Sequence, residues 1–227
     1  MLAPVRNLTK AELIWLGTHK CKSHRHSYLS HYNCYLNDDI PDCPFKEKVG
    51  ILDIETSGFK ADFSYMFSYC IKELDGDIIG RALTTKEIRT YKFDENLMQE
   101  LVADLRKFHR IVVFYGGDYK FDLPFVRSRA LKYGLDFPLY KEIYTTDLYP
   151  IVKKKLKLRN NKLATACRFL NIGAKEHYLN PTIWQKANAG DKASLAYIFL
   201  HNSEDVISTE ELYKRLIGFV RKSKTSI

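Results

Sequence analysis

Two acids two residues apart, Asp53 and Glu55, close the apolar run Val49-Gly-Ile-Leu-Asp-Ile-Glu55. Such a run reads as a strand buried on both faces, and side chains two apart on a strand point the same way. Ionised carboxylates crowded on one buried face raise each other's pKa unless a cation neutralises them. A hard divalent ion such as Mg²⁺ resolves the conflict, because it favours carboxylate oxygen. The plainer alternative is an exposed strand end leading into Thr56-Ser57-Gly58.

A third acid, Asp122, follows the glycine-rich end of Arg110-Ile-Val-Val-Phe-Tyr-Gly116. It stands where a strand gives way to a helix, the end of the sheet at which α/β active sites collect. It can equally serve as N-cap of the helix containing Pro124. A fourth acid, Asp205, ends His201-Asn-Ser-Glu-Asp205, in a stretch where Leu195, Ile198, Phe199, Val206, Leu212 and Leu216 make an apolar stripe. On one continuous helix His201 and Asp205 share a face, and Asn202 and Asp205 fall near the buried side. A break at Asn202-Ser203, with Ser203 capping a new helix, is the alternative. With a reference pKa near 6.5, His201 suits the handling of a water proton near neutrality; otherwise it is a histidine packed on the helix surface.

A different chemistry sits nearer the N-terminus, in Cys21-x-x-His24 and His31-x-x-Cys34. Tetrahedral zinc takes four N/S ligands, and short paired gaps are how a short chain presents them. One structural Zn²⁺ on Cys21, His24, His31 and Cys34 is expected, with His26 and Cys43 as competitors for a place. The bland alternative is a Cys/His-rich loop packed on the core. A third kind of residue is basic: Lys153, Lys154, Lys155, Lys157 and Arg159 can track a phosphate backbone or form a solvated face. The net charge of +9 tilts the choice towards a nucleic-acid partner, DNA or RNA.

What must position these groups is one α/β core with a little chain to spare, which 227 residues supply. A hydrophobic share of 45% and a charged share of 28% exclude a disordered chain. No apolar run approaches the roughly 20 residues of a membrane span, and the N-terminus lacks the order of a secretory signal. A reducing cytoplasm is therefore expected. Three of the five cysteines crowd the first 43 residues beside four histidines, which in that compartment favours metal over disulfides.

Thr9-Lys-Ala-Glu12 reads as a capping box ahead of a short helix carrying Leu13, Trp15 and Leu16. From Val49 on, two further strands follow, Asp62–Leu74 and Asp77–Thr84, turning at Asp75-Gly76. A helix with Leu97, Leu101, Leu105 and Phe108 on one stripe comes next, then the strand at Arg110. A helix from Asp122, a strand Glu142–Tyr149 and helices from about Leu163 complete the chain. The order gives a mixed sheet with helices on its faces. Residues 1–48 form the Cys/His segment and residues 49–227 the main domain.

Taken together, Ile51-Leu-Asp-Ile-Glu-Thr-Ser-Gly58, the stretch from Val112 to Phe125 and Phe199-Leu-His-Asn-Ser-Glu-Asp-Val206 resemble, in order and spacing, the three motifs of the DEDD superfamily of nucleases. That superfamily has the RNase H-like fold and includes the proofreading domains of family B DNA polymerases. The likeness is greatest to a stand-alone RNase H-like branch whose third motif reads His-Asn-x-x-Asp-Val. It spans about Val49 to Phe219. Two positions depart from the pattern. The second motif usually has Asn shortly before Phe-Asp, where this chain has Gly117 and Asp118. The third usually has Tyr four residues before its Asp or His five before, whereas His201 is four before Asp205.

The resemblance implies an RNase H-like mixed sheet flanked by helices and a 3′–5′ exonuclease. It also implies two Mg²⁺ or Mn²⁺ ions on Asp53, Glu55, Asp122 and Asp205, with Asp53 bridging and Asp147 supporting the ligands from behind. The competing reading is a non-catalytic nucleic-acid-binding module with a zinc segment and a degenerate nuclease fold. Four intact acids favour the enzyme, since a pure binder has no use for an acidic cluster facing phosphates.

Overall fold

A computed structural model describes residues 10–38, 40, 43, 45, 47–117, 120–173, 176–219 and 225–227, in two compact units, Met1–Glu47 and Lys48–Ile227. The first unit has helices α1 (Lys10–Thr18) and α2 (Tyr32–Asn37), joined through a turn whose Lys20 and Ser27 pair as a bridge. Its small core is Leu16, Cys21, Tyr28, Tyr35 and Cys43, with Trp15 packed against it. The expected cap Thr9 lies outside the described residues. Of the apolar residues foreseen on α1, Leu16 is buried and Leu13 is exposed.

The second unit is built on a five-stranded sheet in the order β3-β2-β1-β4-β5. Strands β1 (Val49–Thr56), β2 (Met66–Glu73) and β3 (Ile78–Ala82) pair antiparallel, while β4 (Arg110–Val113) and β5 (Tyr144–Asp147) add in parallel. The sheet is mixed, as expected, because hairpins join the first three strands and helical crossovers the last two. Among the described residues no helix is long and apolar enough to cross a membrane.

Alternation along the strands sorts two cores. Leu52, Ile54, Phe67, Tyr69, Ile71, Ile111 and Val113 face α4 (Glu95–Leu105) and α5 (Asp122–Lys132). Val49, Ile51, Cys70 and Val112 face α6 (Leu148–Lys155), α7 (Leu163–Phe169) and the later turns of α9 (Lys192–Leu216). Being on the same pleat as Ile51, Asp53 and Glu55 point to the α9 side. Ile51 is fully buried, so trimming it to Ala costs about 2–5 kcal/mol and loosens the strand that carries both acids.

Helix α9 is continuous through Asn202 and Ser203, so the break considered from sequence does not occur. Asp191 caps it by accepting from the Ser194 N–H at 2.8 Å. Its 25 residues contain no Gly or Pro and span about 37 Å, enough to pack across β1, β2 and β3.

Other elements differ from expectation. Helix α4 ends at Leu105, with Phe108 buried beyond it. The last strand stops at Asp147, whose side chain caps α6; Pro150 falls in that helix's first turn, where a missing N–H does no harm. Three short helices, α2, α3 (Thr85–Arg89) and α6, were not foreseen.

A buried ion pair seats α5. Arg129 donates to both carboxylate oxygens of Asp94, and Asp94 also accepts from the Met66 N–H at 2.9 Å and the Tyr133 hydroxyl at 2.7 Å. With every partner satisfied, the pair fixes α5 against the start of β2, and with it the position of Asp122.

Candidate active site

The pleat of β1 aims Asp53 and Glu55 at α9, and α9 returns the polar side chains of His201, Asn202 and Asp205 from little more than one turn. Asn202, fully buried, donates from Nδ2 to Asp53 Oδ2 at 3.0 Å. His201 Nε2 stands 3.4 Å from Glu55 Oε1 and 3.4 Å from Asp205 Oδ2. Glu55, His201 and Asp205 each offer a ligand atom within 4.8 Å of the others. The continuous helix makes this possible, since residues four apart lie one above the other.

The tautomer of His201 follows from its other nitrogen. Nδ1 meets the His177 carbonyl oxygen, which can only accept, so Nδ1 carries the hydrogen and Nε2 is left to the acids. The carbonyl is itself held in place. Glu204 accepts from the backbone N–H groups of Glu176 and His177, each at 3.1 Å, and from His177 Nδ1 at 2.5 Å. Burial would raise the Glu204 carboxyl, but the bonds from the His177 ring and the two backbone amides bring it below its ordinary value.

Asp122 comes from the start of α5. It is the first residue of α5 and not its cap; Phe121 occupies the cap position, so the capping alternative fails. Its carboxyl lies on Gly116, where a Cβ would come within 2.2 Å of Oδ2. Glycine is required there for that approach. Burial, then the charges of Asp147 and Asp205, push the Asp122 carboxyl up to about 8.

Asp147 holds the loop that makes room for it. Oδ1 accepts from the Tyr115 and Tyr149 N–H groups, both at 2.9 Å, and Oδ2 from the Gly117 N–H at 3.1 Å. Tyr115 adopts a left-handed φ of 63° in that loop, a conformation that needs such anchoring. A Cβ on Gly117 would approach Asp147 Oδ2 to 2.9 Å, so this position has no room for the Asn of the pattern. Asp118 lies outside the described residues.

The field at this place is negative. Cys70, opposite Asp53 on β2, has its thiol pushed up to about 12, by burial first and then by Asp53, Glu55 and Asp205, against a lowering bond with Ser203. Buried Asn202 Oδ1, beside the acids, meets no hydrogen-bond donor among the described residues. Clustered carboxylates with an amide oxygen among them are the donor set a hard divalent cation prefers. The residues present fit such an ion.

The second unit also exposes aromatic and basic side chains. Phe59 and Phe63, on the loop after β1, are 85% and 89% exposed. The Phe59 ring meets that of Phe121, next to Asp122, at 5.9 Å. Lys120 Nζ lies 5.0 Å from the Tyr115 ring and 5.6 Å from that of Tyr149. Lys153, Lys154, Lys155, Lys157 and Arg159 are all exposed.

In the first unit Cys21, His24, His31 and Cys34 come together, each offering a ligand atom within 4.8 Å of the others. The two competitors do not join them. His26 Nδ1 instead meets His31 Nε2 at 3.0 Å, and buried Cys43 donates weakly to the Tyr35 hydroxyl at 3.9 Å.

Sequence reasoning overlooked Asn202 as a partner of Asp53, and His177 and Glu204 as supports of His201. Asn202 and Glu204 carried a signal, being polar residues inside the His201–Asp205 motif; His177 carried none.

A family model described as the RNase_H superfamily matches residues 51–217. Among solved structures, the family B DNA polymerase from the hyperthermophilic archaeon Pyrobaculum calidifontis is similar, with a TM-score of 0.61 and 18% identity over 78% of this chain and 25% of that one. At that identity the likeness concerns the fold, and the chain spans a quarter of the polymerase's length. No curated protein matches the sequence.

Proposed function

This chain belongs to the RNase H superfamily, and from that membership and the geometry of its acids we propose that it is a divalent-metal-dependent nuclease cutting phosphodiester bonds of nucleic acid. The observation that carries this is the meeting of acids from β1, the start of α5 and α9. Glu55, His201 and Asp205 converge, Asn202 holds Asp53, and the charge of Asp205 acts on Asp122. No structural need accounts for so many acids in so little space, since each costs stability unless a cation is present.

Asp53, Glu55, Asp122 and Asp205 would hold Mg²⁺ or Mn²⁺. Bound there, such ions make water a stronger nucleophile and offset the charge on the leaving oxygen. The chain's own groups do the rest. Asn202 fixes the carboxylate plane of Asp53. His201, with Nδ1 committed to a carbonyl, presents Nε2 between Glu55 and Asp205, where it can take or orient a water proton. Asp147 keeps the Tyr115–Gly117 loop folded back so that Asp122 can reach inward.

The finer proposal is 3′–5′ exonuclease action by a two-metal mechanism, resting on the motif resemblance and on side chains that the second unit exposes. Exposed Phe59 and Phe63 offer faces for unpaired bases, which stack on aromatic rings without regard to sequence. The basic run from Lys153 to Arg159 offers phosphate contacts. Oligonucleotides of DNA and RNA, single-stranded and labelled at the 5′ end, test this with Mn²⁺ present. A ladder of labelled products shortening stepwise is expected. Discrete internal cuts without a ladder would replace exonuclease with endonuclease action, and intact substrate would remove the nuclease.

A further inference from the structure

The Cys/His cluster of the first unit has no residue in common with the cluster of acids. We propose that it is a structural zinc site whose four ligand atoms are Cys21 Sγ, His24 Nδ1, His31 Nδ1 and Cys34 Sγ, with His26 as the residue that orients His31.

The distances carry the assignment. Zn–S bonds of about 2.3 Å and Zn–N bonds of about 2.0–2.1 Å at tetrahedral angles put sulfur and nitrogen about 3.5–3.6 Å apart. Cys34 Sγ lies 3.4 Å from His24 Nδ1 and 3.9 Å from His31 Nδ1, and Cys21 Sγ lies 3.7 Å from His24 Nδ1. These three distances match edges of such a tetrahedron, and all four ligand atoms lie within 4.8 Å of one another. Both cysteines are free thiols, so a disulfide does not account for their approach.

Local backbone builds the cage. The Cys21 N–H donates to the His26 carbonyl at 2.9 Å and the Arg25 N–H to the Cys21 carbonyl at 3.0 Å, folding residues 21–26 into a tight turn. Arg25 takes a left-handed φ of 56° to close it. Within the turn the His24 N–H reaches Cys21 Sγ at 3.3 Å, which ties the sulfur to the backbone of the turn. On the other side His31 immediately precedes α2, and Cys34 comes one turn later on the same face.

His26 settles which nitrogen of His31 faces the sulfurs. Its Nδ1 engages His31 Nε2 at 3.0 Å, leaving His31 Nδ1 for the metal, the usual arrangement in which a ligand's second nitrogen is hydrogen-bonded. Two sulfurs and two imidazoles suit zinc, whereas Mg²⁺ and Mn²⁺ prefer the oxygens of the other unit. A first unit with five buried apolar side chains among its described residues has little core to order it by burial, which gives the metal a structural task.

Elemental analysis of the full chain, purified without added metal, should find one zinc per chain. Co²⁺ exchanged into the wild-type protein should show the thiolate charge-transfer and tetrahedral ligand-field bands of an S₂N₂ site, which the carboxylates of the second unit cannot produce. Cys21→Ser and Cys34→Ser should lose the zinc and Cys43→Ser should keep it. His26→Gln should keep one zinc but bind it roughly 10–100-fold more weakly in a chelator titration. Absence of zinc from the wild type, or a Co²⁺ spectrum without thiolate bands, overturns the site even if the serine variants do not fold. Loss of zinc from Cys43→Ser, or affinity unchanged in His26→Gln, overturns the ligand set or the role of His26.

Discussion

Asp122→Asn should stabilise the protein in buffer free of Mg²⁺ and Mn²⁺, although it removes one of the acids proposed to hold the catalytic metal. Burial first, then the charges of Asp147 and Asp205, raise the Asp122 carboxyl from its ordinary 3.8 to about 8. The unfolded chain therefore loses this proton near pH 4 and the folded chain near pH 8. Between those values the folded state binds more protons, so this group's contribution is fully present below pH 4 and is lost as pH rises through about 8. A shift of about four pH units corresponds to at most about 6 kcal/mol. An amide does not reproduce every contact of a neutral carboxyl, which leaves a gain on the order of 2–4 kcal/mol at about pH 8, or roughly 4–16 °C in Tm for a chain of this size. Thermal melts of both proteins at about pH 5 and about pH 8 measure it, and groups common to the two cancel in the difference. The Asn variant should melt higher, by a margin that widens with pH, while added Mn²⁺ should narrow it by stabilising the wild type. A margin that is absent, or that shrinks as pH rises, refutes the reasoning.

Asp147→Ala deprives three backbone N–H groups of their acceptor, so it should cost about 1–3 kcal/mol in urea unfolding and lower kcat roughly 10–100-fold with KM little changed; a rise in KM alone would place Asp147 with substrate binding. Arg129→Met leaves the Asp94 charge buried without its cation and should destabilise by about 3–5 kcal/mol, checked by the midpoint in guanidinium; a loss below about 1 kcal/mol would mean that the pair does not seat α5. Replacing Lys153, Lys154 and Lys155 together with Ala should flatten the dependence of log K on log salt for a single strand by about 2, at about 0.7 per phosphate contact. Equal slopes for parent and variant in fluorescence anisotropy would leave the run as a solvated face.

Much of the fold was legible because period and punctuation agree. Alternation and β-branched runs mark β1 and β4, Asp75-Gly76 marks the hairpin, and the Leu195–Leu216 stripe marks α9. Where signals compete, reading fails. Tyr144–Asp147 and Leu148–Lys155 follow one another with no intervening residue, and only the cap made by Asp147 divides strand from helix. Helix α3 did carry a capping box at Thr84 and Glu87, but at five residues it offers no periodicity. The acids were legible as types and spacings, and the two-residue gaps of the Cys/His pairs already selected the four residues that converge. Geometry alone supplied the rest. Asn202 reaching Asp53 is a contact 149 residues apart, and the hold of Glu204 on residues 176–177 is a backbone matter with no pattern in side-chain order.

The central claim is that the acids of β1 and α9 hold the ions that make this chain a nuclease. Hydrolysis of a labelled single-stranded oligonucleotide, followed against Mn²⁺ concentration for wild type, Asp53→Asn and Asp205→Asn, tests it most directly. The wild type should cut only with the ion present, and both variants should fall by about three orders of magnitude or more while keeping wild-type secondary structure by circular dichroism. Turnover at the wild-type rate by either folded variant, or by the wild type stripped of divalent ions, would contradict it.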